Sequence, residues 1–149
     1  MSLPKRSFFE DGVEQSRWTP RAIQVLATAK DLSTTRARIG PSGILLALEG
    51  GDHQVSRLLK QLGITPSAAL NKAAPGSWSR KTELYYEDFD GSLSDFPRLV
   101  IEEAAALGDS HLGIEHLLLY LARIGVPGVD LPYERIRNGW LELMGKRKS

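Results

Sequence analysis

The sequence contains an internal repeat, and this repeat restricts the fold more than any other property of the chain. Residues 39–48 (IGPSGILLAL) match residues 112–121 (LGIEHLLLYL) at a constant offset of 73. Upstream, Trp18-Thr19 aligns with Phe89-Asp90 at an offset of 71. Each copy reads as an aromatic residue, a capping residue, a long helix, a turn and a leucine-rich helix. Because such a unit cannot cover its own apolar face, the copies are predicted to pack together about a pseudo-twofold axis.

Helical periodicity dominates the whole chain and predicts an all-α fold. Apolar residues recur at the i, i+3, i+4 and i+7 positions of amphipathic helices, whereas alternation with period two is scarce. Thr19 and Pro20 read as the N-cap and first residue of the first helix. Thr65 and Pro66 read in the same way, and about seven to eight helices are expected in total.

The repeat and the breaks in periodicity predict a division of the chain. We expect a flexible leader at 1–16, a first repeat at 17–74 and a linker at 75–88. A second repeat follows at 89–145, and the basic tail 146–149 is expected to fray. The two repeats together form one helical domain over 17–145.

The amino-acid composition excludes several classes of protein. Nineteen Lys and Arg against eighteen Asp and Glu give a net charge of +1, which supplies no global field toward nucleic acid or anionic lipid. With no cysteine, there is neither a disulfide framework nor a thiolate centre. No signal or transit segment is recognisable, so we expect a cytoplasmic protein.

Three segments resemble the double-repeat amino-terminal domain of Clp family AAA+ unfoldases. They are residues 18–22 (WTPRA), 58–64 (LLKQLGI) and, most specifically, 106–121 (ALGDSHLGIEHLLLYL). The resemblance implies two four-helix repeats related by a pseudo-twofold axis. Measured against that pattern the second repeat is truncated, since 124–129 (IGVPGV) stands where another helix is expected. The sequence has no phosphate-binding loop of the GxxxxGK[ST] type, so we expect a free-standing domain without ATPase activity.

The resemblance implies a non-catalytic protein-binding module. Such a module would act as an adaptor, docking accessory or substrate-recognition unit of a Clp unfoldase or protease, with the AAA+ unfoldase, the protease core, an adaptor or a substrate protein as partner. The alternative is a structural accessory that stabilises the Clp protease core, and sequestration of a small molecule is a third hypothesis. A DNA-binding helical protein is less favoured because the basic residues are dispersed among acids. No cofactor is expected.

The resemblance also implies a possible ligand, phosphorylated arginine, with one site in each repeat. The first repeat keeps Thr19, but Ser42 stands where a carboxylate is expected. The second repeat keeps Glu115, but its capping position is Asp90, whose negative charge would repel phosphate. Helix capping by Thr19 and Asp90 is therefore the preferred interpretation of those two residues.

The remaining candidates are aromatic residues and histidines. Trp78, Tyr85 and Tyr86, or a groove left by the missing helix, form a candidate partner surface, although packing on the core explains each aromatic residue more simply. The run 109–111 (DSH) holds the letters of a hydrolase triad, but consecutive residues in a turn cannot form that arrangement. The three histidines are poorly spaced for a metal, so neither a catalytic residue nor a metal ligand is predicted.

Overall fold

The described residues of the computed structural model form seven α-helices and one short 3-10 helix. Described are residues 17–32, 38–51, 53–80, 84–85, 88–93 and 95–145. In chain order the helices are α1 (Pro20–Leu32), α2 (Pro41–Glu49), α3 (Gln54–Gln61), α4 (Pro66–Leu70), the 3-10 helix Gly91–Leu93, α5 (Phe96–Ala106), α6 (Ile114–Ile124) and α7 (Tyr133–Leu143). The prediction of an all-α fold is confirmed.

The two halves of the chain exchange equivalent backbone contacts. In the first pair of hydrogen bonds, the Thr19 amide donates to the Leu112 carbonyl over 3.0 Å, and the Leu112 amide donates to the Arg17 carbonyl over 2.7 Å. In the second pair, the Asp90 amide donates to the Ile39 carbonyl and the Ile39 amide donates to the Asp88 carbonyl, both over 2.7 Å. The repeat offsets make these two pairs of bonds equivalent. Reciprocal exchange of this kind is what a twofold relation between halves produces.

A single apolar core joins the halves. Phe96 is fully buried, and its ring lies between aromatic residues from both sides of the repeat. The ring centroids are 5.7 Å from Trp18, 5.6 Å from Phe89 and 5.1 Å from Tyr120. Helix α2 packs on α6, its equivalent in the repeat, and α3 packs on α7, so helices of the two halves meet at the centre. Burial of this continuous apolar surface is the main stabilising contribution.

The second half is shorter than the first, with three α-helices against four in the described residues. The leucine face of α6 is nevertheless covered, since the whole of 117–121 is buried. Helix α7 takes over this role by packing on α6 and burying Ile136 and Trp140. The truncation therefore leaves no exposed leucine groove on α6.

Helix starts follow the sequence signals, with one exception. Thr19 caps α1 as predicted, because its Oγ1 accepts the Ala22 amide over 3.2 Å. Asp90 lies directly before the 3-10 helix Gly91–Leu93, and its carbonyl accepts the Leu93 amide over 2.9 Å, whereas α5 begins only after Asp95. Pro97 in the first turn fixes the later start, since its ring is compatible only with the beginning of a helix.

Several predictions fall on residues outside the described ranges. These are the leader 1–16, the tail 146–149 and Tyr86. Among the described residues, none of the helices combines the length and the apolar character that crossing a bilayer requires.

Candidate functional site

A cavity of about 540 Å³ lies where the two halves of the chain meet. The first half contributes Arg38 from the segment before α2, Ser42 from the first turn of α2, and Lys72 after α4. The second half contributes Asp90 and Pro127. Ser42 and Asp90, predicted as members of two separate sites, therefore line one cavity. Its volume falls in the range of roughly 300 to 1,000 Å³ that is typical of ligand pockets.

The cavity combines an apolar wall with charged side chains. Leu32, Leu46 and Leu70 supply aliphatic surface from α1, α2 and α4. Leu32 is 40% exposed, so part of this aliphatic surface is open to solvent. A pocket of this composition can bind an apolar side chain and orient it by nearby charges.

The two halves differ at the turn that lines the cavity. The turn before α2 and the turn before α6 have the same backbone, with φ −119° and ψ 174° at Gly40 and φ −113° and ψ −179° at Gly113. At Gly113 the Glu115 carboxylate folds back into the space where a Cβ would lie. At Gly40 the same space is open to at least 4 Å. Ser42, which replaces Glu115, is too short to fill it.

A second replacement opens the same turn further. His116 in α6 is fully buried, and its Nδ1 accepts the Gly113 amide over 2.9 Å. The equivalent position in α2 is Gly43, which has no side chain and lines the cavity. A Cβ at Gly43 would meet only ordinary contacts, 3.7 and 3.8 Å from Ala29. A residue that lines the cavity thus has no side chain where the other half carries a buried imidazole.

The predicted anion-site residues are paired across the halves, which the repeat alone does not reveal. Thr19 is hydrogen-bonded to Leu112, next to the turn that carries Glu115. Asp90 is hydrogen-bonded to Ile39, next to the turn that carries Ser42. These backbone bonds place Thr19 beside the turn of the second half and Asp90 beside the turn of the first half. Glu115 is half-buried, and its Oε2 lies 3.6 Å from His111 Nε2.

The linker aromatics pack against the domain. The Trp78 indole N–H donates to the Ala47 carbonyl over 2.9 Å, and its ring lies 4.8 Å from His53. Trp78 and His53 also line a more polar cavity of about 510 Å³. The Tyr85 ring has the Lys30 ammonium 6.0 Å from its centroid. Both aromatic residues are half-buried, and Trp78 packs against the apolar core.

Asp109, His111 and His116 are close enough to be considered as metal ligands, with candidate atoms within 4.8 Å of one another. His116 Nε2 lies 2.9 Å from Asp109 Oδ2. Since Nδ1 accepts the Gly113 amide, the ring proton must be on Nε2 and is donated to Asp109. Burial lowers the pKa of His116, which keeps the ring neutral. His116 therefore has no free lone pair for a metal or for a hydroxyl proton, and its hydrogen bonds stabilise the turn.

A second buried acidic group is also tied into the helices. The Tyr133 hydroxyl donates to Glu103 Oε2 over 2.6 Å, and Arg123 Nη1 lies 3.8 Å from Glu103 Oε1. Burial, followed by the Glu103 carboxylate, raises the pKa of Tyr133 to about 12. The group links α5, α6 and α7 and contributes to packing of the second half.

Sequence reasoning missed three residues of the cavity. Gly43 could have been found, since the repeat aligns it with His116 and a glycine in place of an imidazole leaves space. Arg38 is one of the basic residues dispersed along the chain, and no sequence pattern sets it apart from the others. No sequence pattern marks Lys72, because it reaches the cavity only through the path that the chain takes after α4.

Comparison with known proteins shows similarity to solved structures. No family model matches the sequence, and the search of curated proteins finds no match. Among solved structures, the chain is similar to the crystal structure of the N-terminal domain of the caseinolytic protease associated chaperone ClpD from Arabidopsis thaliana. The two are 16% identical, the similarity covers 89% of this chain and 87% of that chain, and the TM-score is 0.45. The function of this chain is therefore inferred from its own contacts and its cavity.

Proposed function

We propose that this chain is a non-catalytic protein-binding module that acts as an adaptor, docking accessory or substrate-recognition unit of a Clp unfoldase or protease system. The observation that carries the proposal is the cavity between the halves, lined by Ser42 and Asp90. Its mixture of aliphatic wall and charged rim suits a peptide segment of a partner protein. The resemblance of residues 106–121 to the Clp amino-terminal domain supplies the class of partner.

The chemistry of the described side chains favours binding over catalysis. The histidine with the strongest hydrogen bonds, His116, donates to Asp109 and accepts from a backbone amide, so it cannot act as a general base. In the cavity, the charged side chains belong to Arg38, Lys72 and Asp90, and no His or Cys lies among its lining residues. These charged side chains can bind and orient a segment of a partner protein.

The test is direct binding to purified Clp components from the same cell. We expect the chain to bind the AAA+ ring in biolayer interferometry. Gly43→His should weaken this binding by about tenfold or more, because it fills the cavity as His116 fills the equivalent turn. Leu143→His is the matched control, since it adds the same imidazole to an exposed position on α7.

The same experiment separates the proposal from its alternative. Binding to the isolated proteolytic core, with none to the AAA+ ring, would instead favour a structural accessory of the core. Binding to neither component, or binding that Gly43→His and Leu143→His reduce equally while both variants remain folded, would contradict the proposed function.

A further inference from the structure

The charges that line the cavity between the halves are unequal. Two cationic side chains, Arg38 and Lys72, face it, against the single carboxylate of Asp90 among its described lining residues. Arg38 belongs to the first half, and Lys72 follows α4, so the two cations reach the rim from different segments. A partner carboxylate placed between them would form charge-assisted hydrogen bonds.

The equivalent turn of the second half has the opposite character. Glu115 takes the place of Ser42, and His111 takes the place of Arg38. The Glu115 carboxylate lies over Gly113, and Asp109 lies against His116 nearby. The two turns share one backbone conformation. The turn of the second half carries two carboxylates, whereas the turn of the first half is open and lies beside cationic side chains. This divergence removes negative charge and creates space at the same turn, which is the combination that an acidic ligand requires.

The aliphatic wall narrows the class of ligand further. Leu32, Leu46 and Leu70 offer apolar surface within the same cavity as the two cations. A free inorganic anion would leave this wall uncovered, whereas a peptide with a glutamate or aspartate next to a leucine-like side chain would satisfy both regions. The volume of about 540 Å³ has room for a few such side chains.

We propose that the cavity binds an acidic, leucine-containing peptide segment of the partner, with the carboxylate between Arg38 and Lys72 and the aliphatic side chain on the wall of Leu32, Leu46 and Leu70. This inference rests on the proposed function, because it names the chemistry of the segment that the module recognises. Asp90 opposes the ligand charge and so limits the affinity.

The test uses three fluorescein-labelled peptides in which leucine alternates with glutamate, with lysine or with glutamine. Fluorescence anisotropy should show that the full chain binds the glutamate peptide about tenfold more tightly than the lysine peptide, with the glutamine peptide between them. The double variant Arg38→Glu, Lys72→Glu should reverse this order. Asp90→Asn should strengthen binding of the glutamate peptide, and added salt should weaken it.

The outcomes distinguish this inference from the function on which it rests. Equal affinity for all three peptides, with Gly43→His weakening each of them, would overturn the acidic preference and leave the protein-binding function supported. The acidic preference would also be overturned if no peptide bound while the AAA+ ring still bound in a manner sensitive to Gly43→His. Loss of both kinds of binding would contradict both proposals. Circular dichroism of each variant shows whether the fold is retained.

Discussion

Phe96→Ala is expected to lower the free energy of unfolding by about 3 to 5 kcal/mol, the usual cost of removing a fully buried aromatic side chain. The ring contacts Trp18 from the first half and Phe89 and Tyr120 from the second. Its loss leaves a space that neither half can close alone. Equilibrium unfolding in urea, followed by circular dichroism, measures the change.

The control for this substitution is Leu143→Ala, which truncates a residue that is 40% exposed and should change stability by less than about 0.5 kcal/mol. Because Phe96 lies in a core shared by both halves, we expect the variant and the parent chain each to unfold in one transition. Two separate transitions, or a loss confined to part of the helical signal, would show that the halves do not share a core.

The second large effect concerns the buried imidazole of His116. Burial lowers its pKa below the ordinary value of 6.5, so the folded chain holds the ring neutral. In the unfolded chain the ring takes up a proton as the pH falls below about 6.5. The unfolded state then binds more protons than the folded state, and stability decreases with falling pH by up to about 1.4 kcal/mol per pH unit. At pH values above this range, the contribution of His116 to the free energy of unfolding is constant.

The matched variant is His116→Gln. The glutamine side-chain oxygen can accept the Gly113 amide, but the side chain does not titrate. Urea unfolding of both proteins across pH 5 to 8 should therefore show a difference in stability that changes below the ordinary histidine pKa and is flat above it. Parallel pH profiles for the two proteins would mean that His116 does not remain neutral in the folded chain.

Local sequence signals account well for the helices and poorly for how they pair. The apolar face of α1 and its beginning at Thr19-Pro20 are visible in the sequence, because a helix is specified by residues only a few positions apart. The repeat also predicts a twofold arrangement, but similarity between copies does not say that Thr19 contacts the turn of the other copy. That exchange depends on the path of the chain between helices.

The candidate site was only partly predictable for the same reason. Ser42 and Asp90 could be selected from the sequence, yet their convergence on one cavity follows from tertiary packing. Asp90 precedes a 3-10 helix and not α5, because capping patterns are short and recur before turns that do not continue as α-helix. The significance of Gly43 emerges when its turn is compared with the turn of His116, where the buried imidazole shows what the first half lacks.

The most direct test of this account is a backbone amide NMR titration of the full chain with the alternating leucine and glutamate peptide. The duplicated turn provides an internal comparison within one spectrum. We predict that the amides of Arg38, Ser42, Gly43, Lys72 and Asp90 shift, while those of His111, Glu115 and His116 do not. Shifts centred on the turn of the second half, or spread evenly over both turns, would contradict the claim that the open turn of the first half is the binding site.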